Sequence, residues 1–181
     1  TPMKLLILCT ALVICAPLLR AETIPWESRV NQEANRLGHR NMIVVADSAY
    51  PVQTGKGVKV VSTGADHLTV VKAVLAAIRS APGVRPLVAL DKEFAHLPEE
   101  HAKGAAALRK SMLEILPREN LREELHETLL KEVNTTAESY EVIVFKTTGT
   151  TAYSSVFFTL DCGYWSAEAE QALRKRMEKD H

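Results

Sequence analysis

The sequence predicts a single α/β domain, a layered Rossmann-like sheet flanked by helices, on three observations. Short runs at 42–46, 87–90 and 142–145 are continuously apolar, as strands buried on both faces are. Between them lie stretches whose apolar residues recur at helical spacing. Twice an acidic residue, Asp47 and Asp91, directly follows such a run, and open α/β sheets bind ligands just beyond the carboxyl ends of their strands.

The elements follow in order. Val30, Ala34 and Leu37, behind the acidic Glu27, predict a helix over 27–37, with Gly38 where a left-handed cap would fall. Met42 to Ala46 is the first strand, and Asp47 at its tip reads either as a ligand-binding carboxylate or as an Asx turn. Gly55-Lys56-Gly57 predicts a turn and 58–61 a short strand. Leu68, Val71, Val74, Leu75 and Ile78 predict a helix that Pro82-Gly83 ends. The stretch from Pro98 to Val133 is helix-rich and broken at Pro117, with 111–116 open between strand and helix. A threonine-rich loop then separates strands at 142–145 and 156–160, and Ser166 caps a charged helical extension over 166–181.

Composition narrows the partners. The 181 residues carry 22 basic and 22 acidic side chains, so no net field draws the chain to nucleic acid. There is no zinc-type spacing of cysteine and histidine, no phosphate-cradling glycine loop and no Gly-x-Ser-x-Gly elbow, and the expectation is a chain without metal or organic cofactor. Met3-Lys4, the apolar run from Leu5 to Leu19 and the small Ala21 read as a signal peptide over 1–21. Thr1 and Pro2, ahead of the methionine, read as a cloning remnant or an upstream start. An exported chain, periplasmic or extracellular and not membrane-bound after cleavage, is expected. It keeps one cysteine, Cys162, and so no internal disulfide.

Two separated motifs carry a resemblance. Arg36-Leu37-Gly38-His39 is followed by a strand, by Asp47 eight residues after the histidine, and by Pro51 four residues later. Lys146-Thr147-Thr148-Gly149 and Tyr153-Ser154-Ser155 precede the last strand. Over 22–165 the chain resembles the family containing D-ribose pyranase and L-fucose mutarotase.

That resemblance implies a monosaccharide isomerase in which His39 is the proton donor. It implies substrate contacts from Asp47, Tyr153, Ser154 and Ser155, and from Arg118, with Lys131 and His126 as alternatives for that last position. Ser155 stands where the family pattern has an amide, which leaves one hydroxyl in place of a group with two donors and an acceptor. Of the remaining histidines, His67, His96, His101 and His126 read as ordinary helix or loop residues and His181 as a terminal one.

Histidine suits hemiacetal opening, which moves one proton to the ring oxygen and another off the anomeric hydroxyl near neutral pH. Strand length adds a constraint. At about 3.3 Å per residue, His39 and Asp47 lie on the order of 20 Å apart at opposite ends of one strand. A homo-oligomer with pockets at subunit interfaces, as the resemblance implies, reconciles the two. The alternatives are a non-catalytic sugar-binding or assembly module and, third, a hydrolase using Asp47 and Asp91.

Overall fold

Successive side chains of a strand point to opposite faces, so an all-apolar run is satisfied only where both faces are covered. In the computed structural model, which describes residues 24–179, this holds for β1 (Met42–Ala46), every residue of which is buried. The expected signal peptide lies outside the described residues.

Around β1 the chain runs α1 (Trp26–Arg36), β2 (Val58–Ser62), α2 (His67–Ser80), β3 (Val84–Asp91), α3 (Ala105–Ile115), β4 (Leu121–Glu124), α4 (His126–Ser139), β5 (Val142–Lys146), β6 (Val156–Cys162) and α5 (Ala167–Met177). Short 3-10 turns lie at Lys92–His96 and Arg118–Asn120. The strands form one mixed sheet in the order β2-β5-β1-β6-β3-β4.

Ile43 and Val45 of β1 join one core with residues of α1, α2 and α3, among them Val30, Val74, Ile78 and Met112. Met42, Val44 and Ala46 join a second core, where Leu129 and Val133 of α4 cover the other face. That second face is only partly covered, and Leu87 of β3 stays 39% exposed.

One strand runs against the others: β6 is antiparallel to both of its neighbours, β1 and β3. No helix lies in the 147–155 connection to carry the chain back across the sheet, so β6 starts at the end where β5 finishes. The same loop therefore lies beside the carboxyl ends of the parallel strands.

Three local expectations are corrected. The left-handed residue after α1 is Arg40, at φ 74°, and not Gly38; Leu37 closes the helix in extended conformation. Residues 111–116, open in the sequence, are helical up to Ile115 as part of α3. Leu121–Glu124, within the stretch read as helix-rich, is an edge strand paired parallel to β3. Its consecutive charged residues, Arg122, Glu123 and Glu124, hide it among helical charge patterns. Gly57, in the predicted turn, is required by contact: a Cβ there would stand 2.1 Å from the Ala137 carbonyl oxygen.

Candidate active site

The parallel strands β1, β2, β3, β4 and β5 end on one side of the sheet, and the candidate side chains collect there. β3 finishes with Asp91, 1% exposed, on the face that α4 covers. α4 begins with His126, whose Nδ1 lies 2.9 Å from Asp91 Oδ1. A carboxylate only accepts, so Nδ1 carries the hydrogen and Nε2 is the ring nitrogen left to exchange a proton.

The backbone N–H of His126 donates to both carboxylate oxygens of Glu93, each at 3.1 Å. Leu125, at the cap position, offers no side-chain acceptor, and Glu93 from the turn after β3 supplies one instead. One short segment, 91–93, thus fixes both the side chain and the backbone of His126.

Desolvation raises the Asp91 carboxyl above its ordinary value; the His126 hydrogen bond opposes this, while Glu93 and Asp47 add to it. Asp91 Oδ2 is buried without a partner. The carboxylate serves the imidazole and does not itself line the hollow outside.

That hollow, of about 470 Å³, is lined by Asp47, Ser48, Ala49, His126, Thr150, Ala152 and Tyr153. Its size is within the roughly 300–1,000 Å³ of small-molecule sites. Asp47 Oδ1 accepts from the Ala49 N–H at 2.7 Å, the hydrogen bond of an Asx turn, and the residue also lines the pocket. Tyr153 meets the His126 ring edge to face, at 5.3 Å between centroids and 89° between planes. Its φ of 54° puts a bulky residue in the left-handed region, a strained backbone of the kind retained where geometry serves function.

Of the residues predicted from sequence, Asp47 and Tyr153 are brought together here. Ser154 and Ser155 are buried and absent from the lining; Ser154 Oγ donates instead to the Thr151 carbonyl at 2.7 Å. Arg118 lines a separate hollow with Phe94, Arg109 and Leu113, and His126 occupies the pocket in its stead. His39 is exposed at the amino end of β1, in a third hollow with Arg40, Arg85, Asp161 and Trp165. Within one chain it does not face Asp47. Among the described residues no three His, Cys, Asp or Glu side chains converge as a metal site.

Sequence reasoning named His126 only as an alternative to Arg118 and otherwise read it as an ordinary helix residue. The repeated acidic strand tip was the available signal, because a carboxylate buried at the end of β3 needs a partner.

A family model described as the RbsD / FucU transport protein family matches residues 27–163, most of the chain and all of the pocket. The chain belongs to this family. Bacillus subtilis RbsD, solved in complex with D-ribose, is 15% identical with a TM-score of 0.52, over 77% of this chain and 94% of that one. FucU from Bifidobacterium longum is 13% identical with a TM-score of 0.50, over 75% and 96%. The Streptococcus pneumoniae fucose mutarotase, in complex with L-fucose, is 16% identical with a TM-score of 0.49, over 76% and 96%. No curated protein sequence matches the chain. The RbsD and FucU likenesses establish the fold, and α5 lies beyond the residues that the family model matches.

Proposed function

We propose that this member of the RbsD / FucU family is a monosaccharide mutarotase or pyranase that opens and recloses the sugar ring by acid and base catalysis alone. The observation that carries the reading is the Asp91–His126 pair, with Nε2 turned to a pocket that Asp47 and Tyr153 also line. Family membership and the ribose complex of a protein sharing the fold support it.

In the proposed step His126 Nε2 takes the proton of the anomeric hydroxyl while an acid delivers one to the ring oxygen. The bond from the anomeric carbon to the ring oxygen breaks, giving the open-chain aldehyde. Rotation and reclosure, with the two protons returned, give the other anomer or ring size. Asp47 and the Tyr153 hydroxyl orient sugar hydroxyls so that the two transfers stay in line.

The acid is proposed to be His39 of a neighbouring copy in a homo-oligomer, since within one chain His39 sits at the other end of β1. The reaction is assigned to an extracytoplasmic space from the amino-terminal sequence. A second reading, a non-catalytic sugar-binding or assembly module, is favoured by one feature: Ser154 and Ser155 give the pocket no polar side chain.

Anomeric exchange on a panel of pentoses and hexoses, read by proton NMR, tests the assignment. His39→Ala and His126→Gln should each be inactive, and mixing them under conditions that exchange subunits should restore part of the activity. Binding without exchange in the wild type would select the module instead.

A further inference from the structure

A second histidine lies outside the pocket, behind the loop that forms one of its walls. His67 is the first residue of α2 and only 4% exposed. Its Nδ1 lies 3.1 Å from Thr147 Oγ1. The Thr147 hydroxyl donates to the Ala46 carbonyl at 2.9 Å and accepts from the Gly149 N–H at 3.2 Å. With its single proton committed to a group that only accepts, the hydroxyl meets His67 as an acceptor, and Nδ1 must donate.

Nε2 is then a buried lone pair, without a hydrogen bond of normal geometry. Burial holds the ring below its ordinary value, opposed by the Ser154 backbone, Asp47 and Asp66. The positive end of α2 likewise disfavours a second proton at this position.

The loop above His67 is stitched at several points. Thr148 donates its N–H and its hydroxyl to the Ala65 carbonyl, at 2.9 and 3.1 Å. The Gly149 carbonyl accepts from the Ser48 N–H at 2.7 Å, joining the loop to the Asp47 turn. A Cβ at Gly149 would stand 3.2 Å from His67 Cβ and 3.3 Å from Thr147 Oγ1, so the loop lies directly on the ring. Thr150, Ala152 and Tyr153 then follow as pocket wall.

We propose that His67 is the positioning residue of this pocket: by donating from Nδ1 to Thr147 it locks the 147–155 loop against the Asp47 turn and so sets Tyr153 beside His126. His67 does not line the pocket and touches no reacting atom. The importance of this role for turnover rests on the assignment of the pocket to sugar chemistry; the structural claim does not.

The test uses the ¹⁵N-labelled full chain, free and titrated with D-ribose and L-fucose, beside His67→Asn and His67→Leu. Asn keeps an N–H donor near the place of Nδ1, and Leu keeps bulk without a donor. The wild-type His67 is expected as the Nδ1–H tautomer in long-range ¹H–¹⁵N spectra. Resonances of Gly149 and Tyr153 should be retained in His67→Asn and displaced in His67→Leu, with sugar affinity lowered about tenfold in the latter alone, the scale of one lost hydrogen bond. An Nε2–H tautomer, or unchanged Gly149 and Tyr153 signals in a folded His67→Leu, would overturn the proposal. Sugar-silent wild type with the expected tautomer and loop shifts would uphold the latch while removing the mutarotase assignment.

Discussion

Asp91 and His126, the last residue of β3 and the first of α4, are joined by a 2.9 Å hydrogen bond between Oδ1 and Nδ1. The bond fixes the imidazole tautomer and points Nε2 outward, and it buries a carboxylate to do so.

That burial has a measurable signature. Desolvation raises the Asp91 carboxyl above its ordinary value of about 4. A carboxyl raised in the folded state stabilises fully below that value, and the contribution is lost as pH rises through the folded-state value. Asp91→Asn removes this loss. In urea melts its stability relative to wild type should therefore improve as pH rises from about 4 through the folded-state value and then level off, while its turnover falls. A pH-independent difference would show that the wild-type carboxyl is not held at such a cost.

Tyr153 poses the same opposition between fold and site. Its φ of 54° is strained for a residue with a Cβ, and glycine adopts that conformation freely. The relieved strain of about 1–2 kcal/mol is offset by the added chain entropy of glycine and by the lost contact of the ring with His126, so Tyr153→Gly is expected within about 1 kcal/mol of wild-type stability. The same variant should lose sugar affinity, because the ring beside His126 is gone. Calorimetry beside a binding titration checks both at once.

Packing behind the site predicts a further loss. Leu129, 1% exposed, anchors α4 one turn beyond His126 in the core that Val133 and β1 complete. Leu129→Ala should cost about 2–5 kcal/mol in chemical denaturation. At temperatures where it remains folded, it should also weaken binding, since a loosened α4 no longer holds His126 on Asp91.

How much of this was legible in the sequence depends on the range of the interaction. The buried strands announced themselves because each lies between two cores, and a residue of either parity must then be apolar. The acidic tips Asp47 and Asp91 were visible because each directly ends an apolar run, although Asp91 itself is buried under α4. The Asp91–His126 bond was hidden, because the two are 35 residues apart and the intervening chain includes the whole of α3. The place of β6 between β1 and β3 was hidden too, since it is set by contacts with strands far away in the chain. His39 was legible only through resemblance to a family, and its position at the far end of β1 follows from strand length alone.

Distant in sequence but central to the amino-terminal side of the sheet is Glu141, which accepts from Arg36 Nη1 and Nη2 at 2.9 and 2.7 Å and from Lys59 at 2.8 Å. The Arg36 hydrogen bond, then that of Lys59, lowers its carboxyl from 4.5 to about 2. A lowered carboxyl stabilises above its ordinary value and loses that contribution as pH falls from about 4.5 toward about 2. Because the cluster is solvent-accessible, Glu141→Gln should cost only about 1 kcal/mol at neutral pH and less in high salt. Urea melts at pH 7 and pH 3 should show that difference shrinking.

The central claim is that His126 exchanges the protons of a bound sugar. Saturation-transfer proton NMR of anomeric exchange, run on D-ribose and L-fucose with the wild type and His126→Gln side by side, tests it most directly. The account predicts exchange above the buffer rate for at least one sugar, reduced by about 10²-fold or more in the variant. Exchange that persists undiminished in a folded His126→Gln, or a wild type no faster than buffer on either sugar, would contradict it.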